Sequence, residues 1–132
     1  MTGESAPLVV ADDECLARFI LFSKWIRADQ TVKPDAFIPH PYPDLSVTRH
    51  TNVVEEELCK LGQAVADARQ KTFYGRADIY AAAVRRQLLK IEPAPVPNNP
   101  NHANIVGWPA DKPAQKIIAQ QLAADSIFRS KR

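Results

Sequence analysis

The chain has three histidines, His40, His50 and His102, and all of them lie where loops meet extended segments. An imidazole can take, give or share a proton near neutral pH, or ligate a metal. Arg49, Arg76 and Asp78 stand in similar stretches. Two converging histidines with Arg49 or Arg76 would suit phosphodiester cleavage: one base, one acid and a cation for the phosphate. The paired H-x-[ST] motif of two-histidine phosphoesterases is missing, because His50 is followed by Thr51-Asn52 and His102 by Ala103-Asn104. A zinc site from His40, His50, His102 and Asp44 fits no familiar ligand spacing, and Cys15 and Cys59 belong to no paired cluster, so no metal is expected. With four glycines and no G-x-S-x-G, P-loop or dinucleotide fingerprint, no nucleotide cofactor is expected either.

A second kind of chemistry is recognition. Lys24, Arg27 and Lys33 flank Trp25, while Lys71, Arg76, Arg85, Arg86 and Lys90 form another basic region. Cations beside an exposed aromatic ring can hold a phosphate backbone and stack a base. Such residues also serve as an ordinary solvated face. The proline-bearing strips Phe37–Tyr42 and Pro93–Pro100 are stiff and poor in backbone donors, which suits docking of a protein partner. The stretch Asn98–Trp108 joins these themes. Its Asn-Asn-Pro-Asn turn delivers His102 and Asn104 to a short strand that Gly107-Trp108-Pro109 ends.

The elements that must position these residues follow from local pattern. Ala17–Phe22 reads as a strand, with Arg18 intruding on its apolar side, and Leu45–Arg49 as a second. Pro39-His40-Pro41-Tyr42-Pro43 must be extended. A helix starts after His50, capped by Asn52 with Glu55 as its capping-box partner, and buries Val54, Leu58, Leu61 and Val65 before ending near Gln70. Thr72–Tyr74 reads as a strand entering a Gly75–Asp78 turn, and Ile79–Leu89 as a helix with Val84 and Leu88 inward. Lys90–Ala94 and the segment around Ile105 are strands. Asp111 caps a last helix that carries Ala114, Ile117, Ile118, Leu122 and Ala124 on its apolar face through to Ile127.

At 132 residues the chain fits one domain, 1–132, with loose ends at about 1–11 and 129–132; the only apolar anchor for the first is Leu8-Val9-Val10. The expected class is α+β, a small sheet packed against about three helices. A net charge of +2 is too small to mark a strongly basic nucleic-acid protein. Two unpaired-looking cysteines, no leader pattern and no long apolar run predict a cytoplasmic chain with no membrane contact.

Several phrases occur together: LARFI, AFIPHP, DLSVTRH, YGRAD, NPNHANIVGWP and DKPAQKIIA. Through them the chain resembles a group of small uncharacterised bacterial proteins from about Leu16 to Phe128. The resemblance implies a bacterial setting and no reaction or ligand. It draws attention to the polar residues His40, Arg49, His50, Arg76, Asp78, His102 and Asn104. The expected function is a recognition or accessory module contacting a protein or nucleic acid, with Trp25, Asp78 and Asn104 as contact residues. The alternative is a small metal-independent nuclease or phosphodiesterase using His40, His50 and His102 with Arg49 and Arg76.

Overall fold

Six strands and three helices follow from the chain's alternation of apolar and polar residues in a computed structural model that describes residues 8–39 and 43–131. The strands are β1 (Cys15–Ile20), β2 (Leu45–Arg49), β3 (Gly75–Tyr80), β4 (Lys90–Pro93), β5 (His102–Val106) and β6 (Ile127–Ser130). The helices are α1 (Glu55–Ala68), α2 (Ala81–Arg86) and α3 (Lys112–Asp125), with short 3-10 turns at Ser23–Trp25 and Pro34–Phe37. The strands form one antiparallel sheet in the order β4-β5-β2-β1-β3-β6, so the fold is α+β. Among the described residues no helix is long and apolar enough to cross a membrane.

Register decides which side chains share a face, because cross-strand partners point the same way. Leu16 pairs with Ile79 and with Arg49, and Leu45 with Ile105, which pairs in turn with Ile91. These residues, with Ile20, Val47, Ala77 and Ala103, form the buried face beneath α2, α3 and the Pro34–Phe37 turn. Phe37, Val84 and Leu122 complete that core, and Val10 seals its rim while Leu8 and Val9 stay exposed.

The other face carries Cys15, Ala17 and Phe19 of β1, Ser46 and Thr48 of β2, Arg76 and Asp78 of β3, and His102 and Asn104 of β5. Helix α1 covers part of it through Val65 and Ala66, which pack with Phe19, Leu21, Phe22 and Phe73. Gly62 permits that approach: a Cβ there would lie 2.4 Å from the Phe73 ring. Towards β4 the same face stays open, with Ser46 and Glu92 exposed and Asn104 half-buried.

Several local expectations change. Asn52 does not cap α1; it takes a left-handed turn at φ 62°, which Asn tolerates, and the helix begins at Glu55 with Val54 in the cap position. The Val54 amide there donates to the Glu57 carboxylate (3.2 Å), which leaves Glu55 free for another partner. The buried stripe of α1 is Leu58, Gly62 and Ala66, with Val54 exposed. Gly75–Asp78 is the first part of β3, not a turn. Ile79 and Tyr80 belong to that strand, and α2 spans Ala81–Arg86 only. Leu88 faces solvent beyond the end of α2 at φ 63°. Asp111 does cap α3, accepting from the Ala114 amide, but the buried residues of α3 are Ala119, Leu122 and Ala123, with Ile117 and Ala124 exposed. Arg129 and Ser130 belong to β6, which pairs with β3.

Candidate functional site

Of the histidines singled out in the sequence, His40 lies outside the described residues. His50 follows the last residue of β2, opposite Cys15, whose carbonyl accepts from the His50 amide (3.0 Å). Its ring reaches past β1 to β3, where Nε2 lies 3.1 Å from Asp78 Oδ1. The reach is possible because Ala17, the β1 residue paired with Asp78, carries only a methyl group. Cys15 Sγ, a His50 ring nitrogen and an Asp78 carboxylate oxygen all lie within 4.8 Å of one another.

Asp78 also accepts from Arg76 Nε (2.9 Å). The other two Arg76 nitrogens grip Glu55 at 2.5 and 2.8 Å, using the carboxylate that α1 does not need for its cap. Arg76 is itself buried and Glu55 largely exposed. The hydrogen bond from Arg76 holds the Glu55 carboxyl below its ordinary range, and the Glu55 contact raises Arg76 against the opposing effect of burial. Burial disfavours a charge on His50, but hydrogen bonds and charge from Asp78 and Cys15 outweigh it and push the imidazole up to about 9. His50 therefore stands as an imidazolium at neutral pH.

His102 faces elsewhere. It sits opposite Thr48, diagonal to His50 on the same sheet face, and its Nδ1 meets the Ala94 carbonyl at 2.9 Å. A carbonyl only accepts, so Nδ1 carries the proton and Nε2 keeps the lone pair when the ring is neutral. His50 and His102 thus turn to partners towards opposite edges of the sheet, Asp78 of β3 and Ala94 just after β4. Arg49 points to the buried face, where it is 1% exposed and holds Glu14 through two hydrogen bonds of 2.7 and 2.8 Å. Thr51 also donates to Glu14. Burial raises the Glu14 carboxyl, while the bonds from Arg49 and Thr51 more than offset this and leave it lowered.

The asparagine-rich loop before β5 is a clasp. Asn101 Nδ2 donates to the carbonyls of Arg49 (2.9 Å) and Thr51 (2.5 Å), and the Arg49 amide donates to the Asn101 carbonyl (2.9 Å). Asn99 Nδ2 donates to Thr48 Oγ1 at 2.9 Å, and both asparagines are buried. These bonds fix the end of β2, from which His50 projects. Asn104 lies on the open part of the sheet beside Ser46 and Glu92.

Trp25 belongs to a separate site. Its ring packs against Phe22 at 4.7 Å between centroids, under the Arg18 guanidinium at 5.7 Å. Lys24 and Lys71 lie over Phe22 at 5.9 and 4.9 Å. A cavity of about 180 Å³ opens here, lined by Phe22, Trp25, Arg18, Arg69, Thr48 and His102 among others. Arg18 spends its hydrogen bonds on the carbonyls of Ala36 (2.8 Å) and Ser46 (3.1 Å). Burial, with the charge of Arg69 adding to it, pushes Arg18 down to about 10. Among the described residues, none of Arg18, Lys24, Arg69 and Lys71 takes part in an ion pair. The other cations noted in the sequence differ: Arg85 pairs with Asp12, Arg86 with Asp125, and Arg27 bonds Thr31 and Val32.

Sequence reading alone overlooked Cys15 and Glu55 in the first cluster and Arg18, Phe22 and Arg69 in the second. Of those three, Arg18 alone carried a signal in the sequence, as a charge placed amid apolar residues of a strand. Compared with protein-family models, with curated proteins and with solved structures, the chain matches none of them.

Proposed function

We propose that this chain is a bacterial cytoplasmic recognition module that contacts single-stranded nucleic acid through the cleft at Phe22, Trp25, Arg18 and Arg69. The observation behind this reading is three cations, Arg18, Lys24 and Lys71, over two aromatic rings, with Arg69 lining the same cavity, and no ion pair to any of the four among the described residues. Since the whole chain has a formal charge of only +2, this patch holds more positive charge than the rest of the protein taken together. Like charges brought together repel, which favours an anion that neutralises them. The aromatic rings add a stacking surface for unpaired bases, and the cavity takes a single base rather than a duplex. His102 and Thr48 are polar residues of its lining. Two free cysteines are in keeping with a reducing compartment. The hydrolytic reading draws less support, because His50 and His102 bond away from each other and Arg49 is committed to Glu14 on the opposite face.

The test is fluorescence anisotropy with a labelled single-stranded oligonucleotide. Four phosphate contacts predict a salt slope of about −3, hence a loss of about 50-fold in affinity between 50 and 200 mM salt. Arg69→Ala and Lys71→Ala, both at exposed positions, should each make that slope shallower by about 0.7. No binding at 50 mM salt, or binding indifferent to the double variant, would overturn the proposal.

A further inference from the structure

We propose that Cys15, His50 and Asp78 form a site for one divalent transition-metal ion of the zinc type. The three donors come from β1, the end of β2 and β3, and they lie within 4.8 Å of one another. One sulfur, one imidazole nitrogen and one carboxylate oxygen make a borderline-soft set that suits Zn2+, with bond lengths of about 2.0 to 2.3 Å. The His50–Asp78 separation of 3.1 Å is already close to that between two ligands of a tetrahedral ion. The Cys15 thiol lies within 4.8 Å of both.

The surroundings match what a metal site requires. Ligating carboxylates are held by outer hydrogen bonds, and Arg76 Nε supplies one to Asp78 at 2.9 Å. Glu55 compensates the charge that Arg76 brings. Binding displaces two protons to solvent, one from the Cys15 thiol and one from the His50 imidazolium; Cys15, Asp78 and Glu55 against Arg76 then leave two negative charges, which a divalent ion balances. His50 is 24% exposed and Asp78 12%, so an ion can enter from solvent. Three protein ligands leave a fourth position for water or a ligand, as in zinc sites that do chemistry.

Co2+ is the probe, since it occupies zinc sites and reports thiolate ligation through a near-ultraviolet charge-transfer band. The expected result is a band that saturates at one equivalent, is displaced by Zn2+, and is absent in Cys15→Ser. His50→Gln and Asp78→Asn should each weaken binding at least 10-fold. Cys59→Ser should leave the band unchanged, because Cys59 belongs to α1 and is not among the three donors that lie within 4.8 Å of one another. A measurement that needs no variant protects the test against misfolding. Zn2+ should slow alkylation of Cys15 at least 10-fold and leave Cys59 unaffected, as read by mass spectrometry. A wild-type protein without the band, a band that survives Cys15→Ser, or equal alkylation of Cys15 with and without Zn2+ would overturn the site.

Discussion

Replacing Glu14 by Gln tests the energetic logic of the buried face. Arg49 is 1% exposed and its guanidinium is held by both oxygens of Glu14, which is itself 9% exposed. Removing the carboxylate charge takes from a buried cation the two charge-assisted bonds of Glu14 that offset its desolvation. Breaking such a pair from one side costs about 3–5 kcal/mol, far more than an exposed ion pair would. At a urea slope of about 2 kcal/mol per molar, the unfolding midpoint should fall by roughly 2 M with the slope unchanged. The assay is urea unfolding followed by tryptophan fluorescence and by circular dichroism. The double variant Glu14→Leu/Arg49→Met removes both charges, and should recover most of the loss because no buried ion remains. A loss below about 1 kcal/mol for Glu14→Gln would show that the pair is solvated and refute the reasoning.

Two further predictions concern stability. The imidazole of His50 sits at about 9 in the folded chain against 6.5 for the free side chain, so its contribution is complete below pH 6.5 and is lost as pH rises through 9. Between pH 6 and 9.5, with a chelator present, wild type should lose about 2–3 kcal/mol more than His50→Gln; equal pH slopes in urea unfolding would count against it. Leu88, 89% exposed at φ 63°, takes a left-handed conformation with no packing in return. Leu88→Gly should therefore raise the unfolding free energy by about 1 kcal/mol, or about 3–5 °C in Tm by calorimetry, and a lowered Tm would refute this.

The parts of the fold that the sequence announced are those with local causes. Leu45–Arg49, Lys90–Pro93 and His102–Val106 alternate or are bounded by turn residues, and Asp111 stands in front of an amphipathic run. The third strand was hidden because Gly75 and Asp78 are turn formers in isolation. In the fold, Gly75 adopts φ 142° where a Cβ would lie 2.3 Å from the Arg129 carbonyl, so the glycine serves a neighbouring strand and not a turn. That neighbour, β6, straddles the expected end of the last helix at Ile127 and the expected loose end from 129, because its order comes from pairing with β3, and pairing leaves no local trace.

The clusters divide in the same way. His50, Arg76 and Asp78 stood out by residue type, but Cys15 joins them across 35 residues through strand register alone. Asn99 and Asn101 drew notice as a loop rich in polar groups and proved to be internal ties of β2. Trp25 was flagged with its sequence neighbours. Its spatial partners Arg18 and Arg69 come from β1 and the end of α1, which no window of sequence could bring together.

The pairing of β6 with β3 has a consequence for behaviour at high concentration. An open sheet must end somewhere, and a bare edge strand offers its unpaired amides and carbonyls to any other chain. Here one edge is β4, with Lys90 at its start and Pro93 at its close. The other is β6, with Arg129 in the strand and Lys131 just after it. Proline withholds a donor, and cations repel the same edge of a second copy. Without its last six residues the chain would present β3 as the edge, a strand of mostly buried residues with no lysine or proline in it. The short C-terminal strand thus keeps the most associative edge of the sheet inside the molecule.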